Sequence, residues 1–233
     1  MGYLLTIEAP DASGKSTQVK ALCEALTAKG YAVKHVRFPN YGSDACKPVE
    51  QYLHGALGSD PASVNAYAAS TFFAVDRFFS YRLDWREFAA RPDSVTVLDR
   101  YTTSNAIHQL AKIADASERE AFLEWLYDFE FEKLGLPVPD DTLFLDVPPV
   151  VSLRLLAERA KADGNHFTDI HEADASYLTA CYDAAGFAAA KKGWTTVTCT
   201  ENGEMLSIGD IHARVLRFVL DRLDERGIRP SKV

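Results

Sequence analysis

No two of the four cysteines, Cys23, Cys46, Cys181 and Cys199, form a CxxC pair or a ligand spacing with histidine, which argues against a zinc site and a disulfide framework. They read as core or surface thiols. No apolar run approaches the roughly 20 residues of a membrane-spanning helix. The N-terminus, Met-Gly-Tyr-Leu-Leu-Thr-Ile-Glu, lacks the basic segment and apolar length of a signal peptide. Cations are also scarce: 25 Lys and Arg against 33 Asp and Glu leave a formal charge of -8. No cluster of them offers a nucleic-acid duplex the many phosphate contacts on which its binding rests. The expectation is a reduced cytoplasmic protein with neither membrane nor nucleic acid as partner. Repeats, linkers and low-complexity stretches are absent too, so residues 1–233 are expected to form one domain.

What is present is a 47% hydrophobic chain of 233 residues in which strand-like and helix-like stretches alternate. Tyr3 to Ile7 is a short run of strand formers, and Lys15 to Lys29 carries Val19, Leu22, Ala25 and Leu26 at helical spacing until Gly30 stops it. A second apolar run, Tyr31 to Phe38, ends at Pro39, so the first third reads as a β-α-β unit with a parallel pair. Ala45 to Ala90 reads as mainly helical, Val95 to Leu98 as a third strand, and Ser104 to Leu134 as two helices. Thr142 to Val147 and Thr195 to Cys199 complete five strands. Helices are expected at Pro149 to Lys161, Ala173 to Lys192 and Ile208 to Arg226. This predicts a doubly wound α/β fold, a five-stranded parallel sheet flanked by helices, with ligands at the strand ends.

Ala9-Pro10-Asp11-Ala12-Ser13-Gly14-Lys15-Ser16 lies between the first strand and the first helix. It matches a phosphate-binding loop except that Ala9 stands where the first glycine is expected. In such a loop the backbone N–H groups of Ala12, Ser13, Gly14, Lys15, Ser16 and Thr17 cradle ATP phosphates. Lys15 reaches the β and γ phosphates, and the Ser16 hydroxyl is offered to Mg²⁺. Alanine at position 9 costs little if its φ is negative; otherwise the loop binds nucleotide weakly. Asp99-Arg100-Tyr101 ends the third strand on the same sheet edge, which suits Asp99 to a magnesium-bound water and Arg100 to bridging two phosphates; a surface ion pair is the plainer alternative. Arg37, ending the second strand, is a further phosphate candidate or a surface arginine. Phe73 and Arg77 are four apart on one helix face, an apolar ring beside a planar donor fork that suits a pyrimidine. Phe72, Phe73, Phe78 and Phe79 read equally as core aromatics.

Together these blocks resemble the thymidylate kinase family of P-loop nucleoside monophosphate kinases, from about Leu4 through Tyr182. The phosphate loop with Thr17-Gln18, Phe38-Pro39-Asn40-Tyr41-Gly42, Phe73-Ala74-Val75-Asp76-Arg77, and Asp99-Arg100-Tyr101 with Ser104-Asn105 and Gln109 occur in the family's order. The resemblance implies a P-loop kinase fold with a mobile lid at about 154–172, a homodimer, and MgATP-dependent conversion of dTMP to dTDP for dTTP synthesis. It implies that Phe73 stacks on thymine, Arg77 meets O4 and Asn105 bonds the N3 edge. Arg37, Phe38, Tyr41, Arg100 and Ser104 would hold the acceptor, and Lys15, Ser16 and Asp11 the donor and metal side. His108 stands where the family often has a tyrosine near the sugar. Family members with no basic residue in the phosphate loop usually supply lid arginines, and Asp11-Ala12-Ser13 has none, so Arg159 is the lid candidate, with a helix-surface arginine as its rival. The lid's usual Asp-Arg-x-Glu appears as Asp169-Ile170-His171-Glu172, which leaves Asp169 toward the acceptor and Glu172 toward the metal. His166 and His171 read as solvated. Two alternatives stand: a kinase for another nucleotide or nucleoside, and a non-catalytic nucleotide-binding module.

Overall fold

The computed structural model describes residues 1–11, 13–163 and 175–230, without the side chains of 159–163. In chain order the elements are β1 (Tyr3–Glu8), α1 (Lys15–Ala28), β2 (Ala32–Arg37), α2 (Lys47–Leu53), α3 (Ala66–Ser80), α4 (Arg86–Ala89), β3 (Ser94–Asp99), α5 (Thr102–His108) and α6 (Ala116–Tyr127). They continue with β4 (Asp141–Asp146), α7 (Pro149–Asp163), α8 (Ala175–Lys192), β5 (Thr195–Thr198), β6 (Thr200–Glu201), β7 (Glu204–Met205) and α9 (Ile208–Glu225). Two π-helical segments, Tyr81–Trp85 and Asp128–Lys133, extend α3 and α6.

Five strands form one parallel sheet in the order β2-β3-β1-β4-β5. β1 and β3 are buried along their whole length, as strands covered on both faces must be, and their residues are correspondingly near-continuous apolar or small. β2 is half-exposed and takes an edge. The expected β1–β2 pair therefore does not form, because β3 is inserted between them. Chain order suggested adjacency, whereas burial preference decided it. Val19, Leu22 and Leu26 of α1 pack with Val215, Val219 and Leu223 of α9 on one face of the sheet. Ala106 and Ile107 of α5, Phe122 and Leu126 of α6, and Cys181 and Ala188 of α8 form a second cluster around Phe144 of β4.

Successive crossovers leave β1 toward β2 on one side and reach β4 on the other, so the winding reverses at the carboxyl end of β1. Ligand crevices open at such a point. Two hydrogen bonds carry the sheet past its strand ends, Arg100 N–H to Ile7 C=O at 3.3 Å and Phe38 N–H to Asp99 C=O at 3.0 Å. They draw the loops after β1, β2 and β3 together at that edge. The β6–β7 hairpin was not expected from the sequence. Its two-residue turn is Asn202-Gly203, at φ 51° and 79°, the pair that a type I′ turn demands. Among the described residues no helix is long and apolar enough to cross a membrane.

Candidate active site

The loop after β1 ends in Gly14, at φ 80°, which caps α1 without any side-chain hydrogen bond. The first N–H groups of α1 are thus left for a ligand, and the positive end of the helix dipole faces the same way. Lys15 is buried, and its ammonium donates to Asp99 Oδ1 at the end of β3. Burial, followed by the neighbouring Arg100 charge, pulls the Lys15 pKa below its ordinary value. Asp99 Oδ2 is buried without a hydrogen-bond partner; His35 Nε2 and Arg37 Nε each stand 3.9 Å away. Ala9 does not take positive φ and is 1% exposed within the core below the loop. The conformational reason for preferring glycine there is absent.

Arg100 adopts φ 69°, a left-handed conformation that is costly for a residue with a Cβ. Several contacts hold it. Its guanidinium pairs with Asp11, Nη1 donates to His108 Nε2 at 3.2 Å, and Nη1 lies 3.8 Å from Glu8 Oε2. Glu8, fully buried at the end of β1, accepts from the Tyr101 N–H at 3.2 Å, the Thr103 hydroxyl at 2.7 Å and the Ser104 hydroxyl at 2.8 Å. A carboxylate from β1 therefore caps α5 and fixes the turn that carries Arg100. Burial and the Arg100 charge depress His108 to about 4; a neutral imidazole is what an accepting Nε2 requires.

Beside Arg100 opens a cleft at the carboxyl end of the sheet. Arg37, Phe38, Tyr41, Phe73, Arg77, Arg100, Ser104, Asn105 and His108 all line it. Asp11 lines it as well, with its carboxylate paired to Arg100 and its charge also felt by Lys15. Phe73 is half-buried and meets Tyr52 edge-on at 6.2 Å. The core-aromatic alternative holds in part: Phe72 and Phe73, partly buried, pack against the cluster of Cys46, Val49, Tyr52, Leu53 and Ala69, whereas Phe78 is only partly buried, Phe79 is exposed, and Asp76 and Arg77 face inward. Arg154 does not face the cleft's residues; it makes a bidentate pair with Glu204 on the β6–β7 hairpin, at 2.9 and 2.6 Å. Ala12, His166, Asp169, His171 and Glu172, and the side chain of Arg159, lie outside the described residues.

The family model for thymidylate kinase matches residues 7–206, a span that holds the loop, the cleft and the β6–β7 hairpin. The chain belongs to the thymidylate kinase family. It is 34% identical over 173 residues to the thymidylate kinase of Mycobacterium tuberculosis strain H37Rv, covering 74% of this chain and 78% of that protein. To the thymidylate kinase of Homo sapiens it is 30% identical over 148 residues, covering 63% and 61%. The solved structure of thymidylate kinase from Candida albicans matches with a TM-score of 0.66 at 20% identity, covering 95% of this chain and 92% of that one; this likeness concerns the fold.

Three carboxylates around the family's motifs were given no role from the sequence. Glu8 is described above. Asp76 Oδ2 accepts from the Asn40 N–H at 2.8 Å and pins the Phe38–Tyr41 loop to α3, with its pKa raised by burial. Glu130 binds Arg77 and Asn105. The available signal was weak: an Asp-Arg pair inside an aromatic helix, and Glu in an otherwise apolar strand. Among the described residues no group of three or more His, Cys, Asp or Glu could hold a metal ion. Ser16, exposed at the start of α1, and the unpartnered Asp99 Oδ2 nevertheless fit Mg²⁺, which takes few protein carboxylates and most of its ligands from phosphates and water.

Proposed function

We propose that this family member phosphorylates dTMP to dTDP with ATP as donor, for dTTP synthesis, and that residues 1–233 act as one catalytic unit. The observation that carries the division of labour is Arg100, held between the Lys15–Asp99 donor corner and the cleft that contains Phe73, Arg77 and Asn105. The N–H groups of residues 12–17 cradle the ATP phosphates, and the γ-phosphate draws Lys15 from Asp99, offsetting the burial that depresses its pKa. Phe73 stacks on thymine, Arg77 donates to O4 and the Asn105 oxygen accepts the N3 proton. Arg37, Phe38, Tyr41 and Ser104 hold the nucleotide's phosphate and sugar, with His108 beside the sugar. An oxygen of the dTMP phosphate attacks the γ-phosphorus while the bond to the β,γ-bridging oxygen breaks, so ADP leaves in line with the attack. Arg100 faces both phosphates and stabilises the charge shared between them.

Ser16, Asp99 and Glu172 would hold Mg²⁺, which would supply charge neutralisation at the transferred phosphate. From the lid segment at about 154–172, Arg159 serves the phosphates and Asp169 the acceptor. The working form is a cytoplasmic homodimer that takes ATP and dTMP, with no nucleic-acid or membrane partner. The exposed Val75, Phe79 and Leu83 on α3 and its π-helical extension support a second copy.

An ADP-release assay with dTMP, dCMP, dUMP and dGMP tests the assignment. dTMP should be turned over best, and Lys15→Ala and Arg100→Ala should each lower turnover by about two orders of magnitude or more without unfolding the protein. Tight ATP binding with no transfer to any acceptor would instead mark a nucleotide-binding module, and preference for another acceptor a different kinase.

A further inference from the structure

We propose that Glu130 is the positioning residue that sets base selectivity, by fixing the donor and acceptor directions of both Arg77 and Asn105. This rests on the reading of the cleft as a thymine pocket. Glu130 is 0% exposed and sits on the π-helical segment Asp128–Lys133, a wide turn that recurs where a helix must aim a side chain for function. Its carboxylate gathers residues from two other helices. Oε1 accepts from Arg77 Nη2 at 2.5 Å and from Asn105 Nδ2 at 3.3 Å, while Oε2 accepts from Arg77 Nε at 2.7 Å and from the Thr102 hydroxyl at 2.8 Å.

Each contact has a consequence for the base. The Nε–Nη2 side of the Arg77 fork is committed to Glu130 and Nη1 donates to Tyr101 C=O at 3.3 Å, so the guanidinium plane and its remaining N–H groups are fixed. A guanidinium can only donate; it suits a carbonyl such as O4 and opposes the exocyclic amine of cytosine. Asn105 Nδ2 faces two acceptors, Glu130 Oε1 and Ser70 C=O at 3.3 Å. Only the amide nitrogen can face them, which leaves Oδ1 as the group offered to a base. That oxygen accepts an N3 proton, present in thymine and uracil and missing in cytosine. Stability does not account for the arrangement, since a fully buried Arg–carboxylate pair is commonly no better than apolar residues of the same volume.

In Glu130→Gln one oxygen becomes an NH₂ group that meets an Arg77 N–H donor against donor whichever way the amide lies; at the Oε1 position it also meets Asn105 Nδ2, and turning the Asn105 amide relieves only that second clash. Dissociation constants of dTMP and dCMP, measured by calorimetry on the full chain, read the effect. Wild type should prefer dTMP. Glu130→Gln should narrow the dTMP-to-dCMP ratio by about tenfold or more, mainly through weaker dTMP binding. ATP affinity should stay within about twofold, because that site shares no contact with Glu130. Glu130→Asp keeps the charge beside Arg77 but cannot span both partners, and should narrow the ratio less; it decides the question if the Gln variant does not fold. A folded variant with the wild-type ratio overturns the proposal for Glu130. Wild type that binds dCMP as well as dTMP overturns the thymine pocket itself.

Discussion

Ala9 shows how a single departure from a motif is judged by its backbone. A glycine would be required at a left-handed residue or where a Cβ meets a phosphate, and only Arg100 and Asn202 among the described non-glycine residues have positive φ. Ala9 instead contributes its methyl group to the core that contains Ile7 and Val19. Ala9→Gly should therefore give no tighter ATP binding. It should cost about 1–2 kcal/mol of stability from added chain entropy and a lost buried methyl group. Urea unfolding and ATP titration of the same variant measure the two effects, and a several-fold gain in ATP affinity would restore the glycine requirement. Gly14, five residues further on in the motif's Gly-Lys-Ser end, is where positive φ is used.

Between elements, the main device is a carboxylate at the end of one strand capping the helix that follows another. Glu8 of β1 takes the Tyr101 N–H and two α5 hydroxyls, and this holds Arg100 in its left-handed conformation. Glu8→Gln has the same shape but one fewer acceptor oxygen, so the turn relaxes and Arg100 leaves the line between the phosphates. Steady-state kinetics should show kcat reduced by about tenfold or more while the KM for ATP changes by less than about threefold. Equal losses in both would mean that Glu8 shapes the donor loop instead. The elements themselves were legible from local pattern, since the β1 run, the α1 spacing and the Gly30 stop each rest on neighbours in sequence. The placement of β3 between β1 and β2 was not, because it depends on which strand can bear two covered faces. The polar inward side of α3 was hidden for a related reason: one Asp76 oxygen takes the Asn40 N–H and Arg77 is paired with Glu130, 53 residues away. The cleft residues were legible only as family blocks, and two of the carboxylates that aim them, Glu8 and Glu130, lay outside every block.

At the scale of the whole molecule, an acidic chain with a partly buried neutral imidazole should have a distinctive acid limb of stability. His108 is faced by Arg100 and, through longer-range charge, by Asp11, Lys15 and Lys112, with the Cys181 sulfur 3.5 Å from Nδ1. In the native state it titrates at about 4, against an ordinary value near 6.5 in the unfolded chain. Between those values the unfolded state binds more protons. The full contribution of His108 is present above pH 6.5 or so and is lost as pH falls toward about 4. Carboxylates released from ion pairs act mostly below that window, so the two can be separated. His108→Gln keeps an acceptor for Arg100 and does not titrate. Denaturant unfolding from pH 7 to 4.5 should show wild type losing about 1–2 kcal/mol more than the variant, a value discounted for the partial exposure of the ring. Parallel curves for the two proteins would mean that burial does not hold His108 neutral and that the carboxylates alone set the acid limb.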